Sequence, residues 1–475
     1  MAEAIPNLEV DIVVVPFPHA GHIFPATQLS AHFARRNYRV AILLPSSSTA
    51  FASPHPLVRP LQIIPLPDPF RVQAKPLEDA LDSLLLAFFA RNTSLLCVVV
   101  DDMLSGLIDT CLAHSVPPVS LFTSGACAAA LDYVSWQLDV DALPDSSAAV
   151  PIPGLPDDIA LTPADILSTR HRPFGGPACP GGPRRQRGVE GADGAIALLI
   201  NTCGDLERPF LDYVSKAAGK PAWGVGPLLP DSFWRAAAGS TGEGEVRSGK
   251  EFGVDVKELV QWLDAKPTGS VIFISFGSLV APSGEELAQL AAALDDVNLP
   301  FVWVMQPEAK ASDAMGQPTE SGGRLLLQAE EVAKRRQGMV IRGWAPQLLI
   351  LGHPAVGGFL SHCGWNSTVE AVARGVPILA WPVRGDQHHN AKLVVRHLKV
   401  GCAVRRPVDG LSSATAVTKE DLASGIRRLM GDEGIRRRAA SARAFFAGGF
   451  PESSSSSLDA FLELASSQFR PGFSH

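Results

Sequence analysis

At 475 residues the chain is too long for one hydrophobic core and suits two domains of about 200 residues each. A composition of 46% hydrophobic and 19% charged residues, with 42 Gly and 39 Pro, is that of a globular α/β protein rich in turns, not of a fibre or a disordered chain. A formal net charge of -7, with no basic stripe interleaved with aromatics, excludes a nucleic-acid partner.

Short β-branched runs alternate with helical patterns along most of the length, which predicts parallel sheets built from βαβ units. In the first half, strands are predicted at residues 10–15, 40–44, 97–101, 118–122 and 195–201. The first leads into a turn carrying His19 and His22, the third ends at Asp101, and the fourth is followed by Thr123. A Gly- and Pro-dense loop at 175–188 carries Arg184, Arg185 and Arg187. The stretch 231–256 is rich in Gly, Ser and charge and reads as a linker. In the second half, strands are predicted at 270–276, 300–305, 339–342, 356–361 and 378–381, with helices at 284–294, 365–374 and 386–398. Leu458, Phe461, Leu462 and Leu464 give the final stretch a helical pattern. The organisation expected is a first domain at 1–240, a linker at 241–256, a second domain at 257–451 and a C-terminal segment at 452–475. Ligands of such sheets lie beyond the carboxyl ends of the strands, so the strand-to-helix turns hold the candidate chemistry.

The seven cysteines, Cys97, Cys111, Cys127, Cys179, Cys203, Cys363 and Cys402, form no CxxC pair. Buried thiols in a reducing compartment are expected, not disulfides or a zinc site. No segment reaches the ~18 apolar residues of a bilayer span, and MAEAIPNLEV lacks a basic stretch followed by a long apolar run. A cytoplasmic location follows as the expectation, with the Asn92 and Asn366 sequons unglycosylated.

The most informative segment is 344–387, WAPQLLILGHPAVGGFLSHCGWNSTVEAVARGVPILAWPVRGDQ. Its strand ends at Ser361, the turn His362-Cys363-Gly364 follows, and a helix opens at Trp365 or Asn366. Backbone N–H groups at a helix start, with His362, Asn366 and Ser367 beside them, make a site for a diphosphate. Glu370 lies one turn further along the same face, where a carboxylate can accept two ribose hydroxyls. Trp344 offers a flat face for a base, and Asp386 and Gln387 follow another strand end, where they can bond the hydroxyls of a hexose. Each residue alone has a plainer reading, a core Trp or a helix N-cap; their joint order does not.

In the first half, an imidazole in the turn after the first strand suits proton abstraction from an acceptor hydroxyl. Asp101, at another strand end of the same sheet, can fix its tautomer. His19 shares the turn with His22, and Asp102 neighbours Asp101 on the opposite strand face.

Segment 344–387 resembles the 44-residue signature of plant UDP-dependent glycosyltransferases. The pattern is met at Trp344, Ala345, Pro346, Gln347, His362, Gly364, Trp365, Asn366, Ser367, Glu370, Trp381, Pro382, Asp386 and Gln387. The resemblance implies the GT-B fold, two facing Rossmann-like doubly wound domains of α/β class, with a C-terminal helix crossing back onto the first. It implies that Trp344 stacks on uracil, that Gln347 and Glu370 hold the ribose, and that His362, Asn366 and Ser367 hold the diphosphate. Trp365, Asp386 and Gln387 would hold the sugar, and the final Gln is similar to members that use UDP-glucose. Val383-Arg384-Gly385 departs from the pattern, since many members carry an aromatic residue there. Ser275-Phe276-Gly277-Ser278 looks like the family's F-G-S turn, in which Ser278 contacts phosphate. His22, in a G-H-x-x-P-like turn, and Asp101 match the family's catalytic pair, and Thr123 resembles a residue near the sugar, although it also suits a structural ST-turn.

The reaction so implied is an inverting transfer of a sugar, glucose above all, from a UDP-sugar co-substrate to a small lipophilic acceptor. No cofactor or metal is expected, and the protein is expected to act as a monomer. Sugar-on-sugar transfer, and a non-catalytic UDP-sugar-binding protein, stand as alternatives. Phe17, Phe24, Met103, Phe122 and the 175–188 loop are candidates for the acceptor pocket, each equally a core or loop residue. GEVRSGK at 244–250 falls short of a P-loop, because Glu251 stands where Ser or Thr binds magnesium. No G-x-G-x-x-G follows the first strand, no G-x-S-x-G elbow occurs, and Asp139-Val140-Asp141 follows a helical pattern and not a strand.

Overall fold

The computed structural model describes residues 9–45, 49, 61–66, 79, 82–83, 85–87, 95–139, 149–170, 189–235, 252–278, 281–306, 320–404 and 417–469. The strands of the first half are β1 (Ile12–Val15), β2 (Val40–Pro45), β3 (Leu61–Leu66), β4 (Cys97–Asp101) and β5 (Pro118–Phe122). A short antiparallel pair, β6 (Val150–Pro151) and β7 (Ala160–Leu161), precedes β8 (Leu198–Ile200) and β9 (Ala222–Gly224). The second half supplies β10 (Val271–Ser275), β11 (Phe301–Met305), β12 (Met339–Arg342), β13 (Val356–Ser361), β14 (Ile378–Ala380) and β15 (Gly401–Ala403).

Two parallel sheets result, in the orders β3-β2-β1-β4-β5-β8-β9 and β12-β11-β10-β13-β14-β15. Strand order reverses between β1 and β4 in the first sheet and between β10 and β13 in the second. At such a point the connections leave in opposite directions and open a crevice beyond the strand ends. Register brings those ends level: Val15 lies opposite Val100, and Ser275 opposite Ser361. The turns after β1 and β4, and those after β10 and β13, therefore lie side by side.

Both faces of each sheet are covered, so the central strands are apolar at consecutive positions. Every residue of β1, β4 and β10 is buried. On one face of the first sheet, Ile23, Leu29 and Phe33 of the helix Ala20–Arg35 pack in one cluster with Leu458 and Phe461 of the helix Glu452–Phe469. Arg36 holds the C-terminal helix further, through Asp459 (2.6 Å) and the Ser455 hydroxyl (2.7 Å).

Strands β3, β9 and β15 have no counterpart in the sequence reading. Two are three residues long, and β3 (LQIIPL) contains a proline; each lies at a sheet edge, where little pattern is required. Within the stretch read as linker, Asp231–Arg235 is a short helix and Val256 opens another. Averaged composition hid the Phe233-Trp234 pair. Phe233 is buried beneath the Arg374 guanidinium, and Trp234 meets Phe446 and Phe450. The helix read at 386–398 changes character midway, running as an α-helix over Gln387–Lys392 and as a π-helix over Leu393–His397.

The 175–188 loop, GEVRSGK, Val140, Asp141, Asn92, Cys179 and residues 470–475 lie outside the described residues. The six described cysteines are buried and unbridged. Among the described residues no helix is long and apolar enough to cross a membrane.

Candidate active site

The first-half site is assembled from three adjacent strand ends. After β1 the chain turns into the helix Ala20–Arg35 with His19 as its N-cap, the His19 Nδ1 accepting the Gly21 N–H (3.2 Å). His19 is thus occupied in starting the helix. His22, in the first turn, points its Nδ1 at Asp101 Oδ2 (2.9 Å) and at Thr123 Oγ1 (2.9 Å). Asp101 ends β4 fully buried, and its other oxygen accepts the Met103 N–H (3.0 Å). Asp102 does not lie on the opposite strand face, as the sequence suggested, but opens the short 3₁₀ turn after the strand, and Asp101 is the carboxylate that meets the ring.

An ionised carboxylate at Nδ1 assigns the proton to that nitrogen, which leaves Nε2 as the basic one. Burial of the ring opposes its charge. The field of Asp101, the hydrogen bond to it, and the charges of Asp102 and Asp386 outweigh that opposition and raise the His22 pKa to about 9.

The second-half site begins where β13 ends at Ser361. Cys363 takes a positive φ of 61°, and Gly364 is the N-cap of the helix Trp365–Arg374 without a side-chain cap. The first N–H groups of this helix are therefore available to an anion. Gly277, after β10, also has a positive φ, of 72°. A Cβ at Gly277 would lie 2.7 Å from His362 Nε2, and one at Gly364 only 2.5 Å from it. Two glycines thus make the slot that holds the ring. His362 is buried, and its Nδ1 has no hydrogen-bond partner among the described residues. Burial, against the opposing charge of Asp386, lowers its pKa to about 4 and keeps the ring neutral. A neutral imidazole beside an uncapped helix start suits a phosphate oxygen. Ser278 follows Gly277 at the same strand-end turn, half-buried.

On the same helix, Ser367 and the fully buried Glu370 meet Gln347. The Gln347 amide donates to Ser367 Oγ (3.0 Å) and Glu370 Oε2 (2.7 Å). Trp344 and Ala345 follow β12 half-buried, and the Trp344 backbone carbonyl accepts the Gly253 N–H (2.8 Å). Past β14, Asp386 Oδ2 accepts the Ser124 hydroxyl (2.8 Å) and the Asn390 amide (3.0 Å). Gln387 Oε1 accepts the Val383 and Arg384 N–H groups (2.9 and 3.0 Å), folding the unusual Val383-Arg384-Gly385 turn over it.

Among the described residues, contacts between these turns join the halves. Asn366 donates to the Gly21 carbonyl (3.1 Å), Ser124 to Asp386, and the Trp365 indole N–H to the Asn201 carbonyl (2.6 Å). Beneath them the Trp365 ring packs on Gly125. The Trp365 side chain is therefore committed to the interface. Sequence reasoning missed Ser124 and Asn201. Asn201 closes a predicted strand at the same sheet edge as Asp101 and holds the Thr123 carbonyl (3.1 Å), so the strand-end rule could have found it. Among the described residues, no three or more His, Cys, Asp or Glu side chains gather to hold a metal ion.

Residues 242–440 match the UDP-glucoronosyl and UDP-glucosyl transferase family. The chain is 34% identical over 295 residues to UDP-glycosyltransferase 73B1 of Arabidopsis thaliana, covering 62% of this chain and 56% of that protein. This match spans little more than half of the relative's own length. To the scopoletin glucosyltransferase of Nicotiana tabacum it is 30% identical over 349 residues, 72% of this chain and 68% of the relative. The fold is similar to that of Phytolacca americana UGT2, solved in complex with UDP-2fluoro-glucose and pterostilbene, with a TM-score of 0.70 and 25% identity over 96% of this chain and 100% of that one. Two doubly wound sheets meeting at their switch points, the signature on the second, and a relative matched over two thirds of its length together show that this chain belongs to the plant family 1 UDP-dependent glycosyltransferases.

Proposed function

We propose that the chain transfers a hexose, glucose from UDP-glucose, to a hydroxyl of a small lipophilic acceptor with inversion at the anomeric carbon. The observation that carries this reading is the His22–Asp101 pair at 2.9 Å, held against the uncapped start of the helix Trp365–Arg374 by the Asn366–Gly21 bond. A proton acceptor and an anion site face one another across a single crevice.

In the reaction, Nε2 of His22 takes the acceptor's proton while Asp101 stabilises the imidazolium that forms. The acceptor oxygen attacks the anomeric carbon as its bond to the diphosphate oxygen breaks, so one displacement turns an α-linked donor into a β-glycoside. UDP leaves toward the helix N–H groups, His362, Asn366 and Ser367, which meet the developing charge with fixed protein dipoles. The diphosphate is served by these donors, and the reading assigns no metal to it. Trp344 and Ala345 would face uracil, Gln347 and Glu370 the ribose, Ser278 a phosphate, and Asp386, Gln387 and Thr123 the sugar. Gly364 and the Trp365 backbone would close the turn beneath it. A glucose donor and a phenolic acceptor accord with the ligands of the Phytolacca enzyme.

Incubation with UDP-glucose and a panel of phenols, followed by chromatography and NMR of the products, tests the reading. A β-glucoside is expected from the unaltered chain. His22→Ala should lower turnover by about 10²–10⁴ while UDP still binds in calorimetry. Absence of any glycoside across the panel, or full activity in His22→Ala, would sink the reading.

A further inference from the structure

The turn Thr123-Ser124-Gly125 touches both partners of the reaction, through Thr123 to His22 and through Ser124 to Asp386. It leads into the helix Ala126–Gln137, whose N-cap, Gly125, has no side chain with which to cap. Gly125 can be nothing larger: a Cβ there would stand 2.5 Å from the Trp365 ring and 2.7 Å from Glu207 Oε2. The close approach of Trp365 therefore deprives this helix of its own cap, and the missing acceptor comes from elsewhere in the chain. Glu207, fully buried, takes the Ala126 N–H at Oε2 (3.0 Å) and the Cys127 N–H at Oε1 (2.8 Å).

Glu207 lies in the helix Gly204–Ala218, and its backbone leaves helical geometry there (φ -137°, ψ 30°), two residues before Pro209. A buried carboxylate and a broken helical turn are both costly to a fold, and apolar packing explains neither. An anion on two N–H groups at a helix start is what that geometry provides.

We propose that Glu207 is a positioning residue of the transfer reaction, a carboxylate clamp that sets the Thr123-Ser124-Gly125 turn against His22 on one side and Asp386 on the other. This rests on the reading of the chain as a UDP-sugar transferase. The uracil and ribose elements, Trp344, Gln347 and Glu370, lie on the other half and do not depend on the clamp.

Steady-state kinetics and UDP calorimetry on Glu207→Gln test it, because Gln replaces one acceptor oxygen with a donor facing an N–H. The expected result is a fall in kcat of about ten- to a hundredfold, the scale of an ångström-level misplacement. The Kd for UDP should stay unchanged. Thr418→Ala, which removes the cap of the helix Lys419–Gly431, should lower Tm without altering kcat. A wild-type kcat in Glu207→Gln overturns the proposal, as does a joint loss of kcat and UDP binding. If Glu207→Gln does not fold, Glu207→Asp carries the same test: a lowered kcat with UDP binding retained supports the clamp, and a wild-type kcat overturns it. Failure of the unaltered chain to transfer sugar or bind UDP would instead strike the transferase reading, so the two failures are distinguishable.

Discussion

Asn366, in the first turn of the helix that opens the second-half site, donates its side-chain amide to the carbonyl oxygen of Gly21, 3.1 Å away. That carbonyl belongs to the peptide bond leading into His22, so the helix Trp365–Arg374 grips the backbone beside the proposed base. Asn366→Ala should lower kcat/KM for the sugar donor about tenfold, the scale of one hydrogen bond near a charged group. Asn366→Asp should cost more, since a carboxylate would face the Gly21 carbonyl and, on the proposed reading, a diphosphate. Steady-state rates decide the matter, and an unchanged kcat/KM in Asn366→Ala would make the bond incidental.

The pH dependence follows from His22. The base must be neutral to accept a proton, and in the unliganded protein its pKa is raised to about 9. On the proposed mechanism, kcat/KM therefore climbs with pH and levels off above about 9. Asp101→Asn removes the principal charge that overcomes burial, so the rising limb should move toward lower pH while kcat falls for want of a fixed tautomer. Stability runs the other way. A pKa raised from 6.5 stabilises the fold fully below 6.5 and loses that contribution as pH rises through about 9. The Tm gap between the wild type and Asp101→Asn should accordingly narrow as pH rises from 6.5 to 9. A pH-independent kcat/KM between about 8 and 10 in the wild type, about one pKa unit either side of the transition, would reject the assignment of the base.

The sheets and their turns were legible because parallel strands buried on both faces leave unbroken apolar runs, as in Ile12–Val15 and Cys97–Asp101. The ends of those runs lead to His22, in the first turn of the helix after β1, and to Asp101, the last residue of β4, since strand ends are where a doubly wound sheet presents its chemistry. What stayed hidden is what depends on the meeting of the two halves. Nothing local in the sequence marks Asn201 as the acceptor of the Trp365 indole, or Ser124 as the partner of Asp386. Both contacts span more than 160 residues, and both use side chains or carbonyls common in ordinary turns. Glu207 was invisible for a related reason, because its role exists only where Gly125 has surrendered its own cap. The short edge strands escaped because three residues carry no period.

Gly125 offers a steric test of the interface. A methyl group there would collide with the Trp365 ring, which is wedged between the halves and tied by its N–H to Asn201. Gly125→Ala should cost about 1–3 kcal/mol of stability, in the range of overpacked cores, and should also depress turnover by displacing Thr123 and Ser124. Gly284→Ala is the matched control: it also lies at a helix start, but nothing stands within 4 Å of its added Cβ. Thermal melts of the two variants should diverge, and equal Tm values would show that the interface yields without strain.

His362 separates function from stability. Its imidazole is buried, slotted between Gly277 and Gly364, and held neutral with a pKa lowered to about 4. Above pH 6.5 the ring is uncharged in both folded and unfolded chains and contributes no pH dependence. As pH falls from 6.5 to about 4 the unfolded chain takes up a proton that the folded one refuses, so stability declines over that window. His362→Ala removes this penalty, and its melting temperature should fall less steeply on acidification than that of the wild type. The same substitution deletes the imidazole beside the helix start, which on the proposed reading meets a phosphate oxygen, and should weaken UDP binding about tenfold or more. Calorimetry at neutral pH and melts between pH 6.5 and 4 measure the two effects separately. Undiminished UDP affinity in His362→Ala would move the diphosphate away from this helix, and with it the leaving group of the proposed reaction.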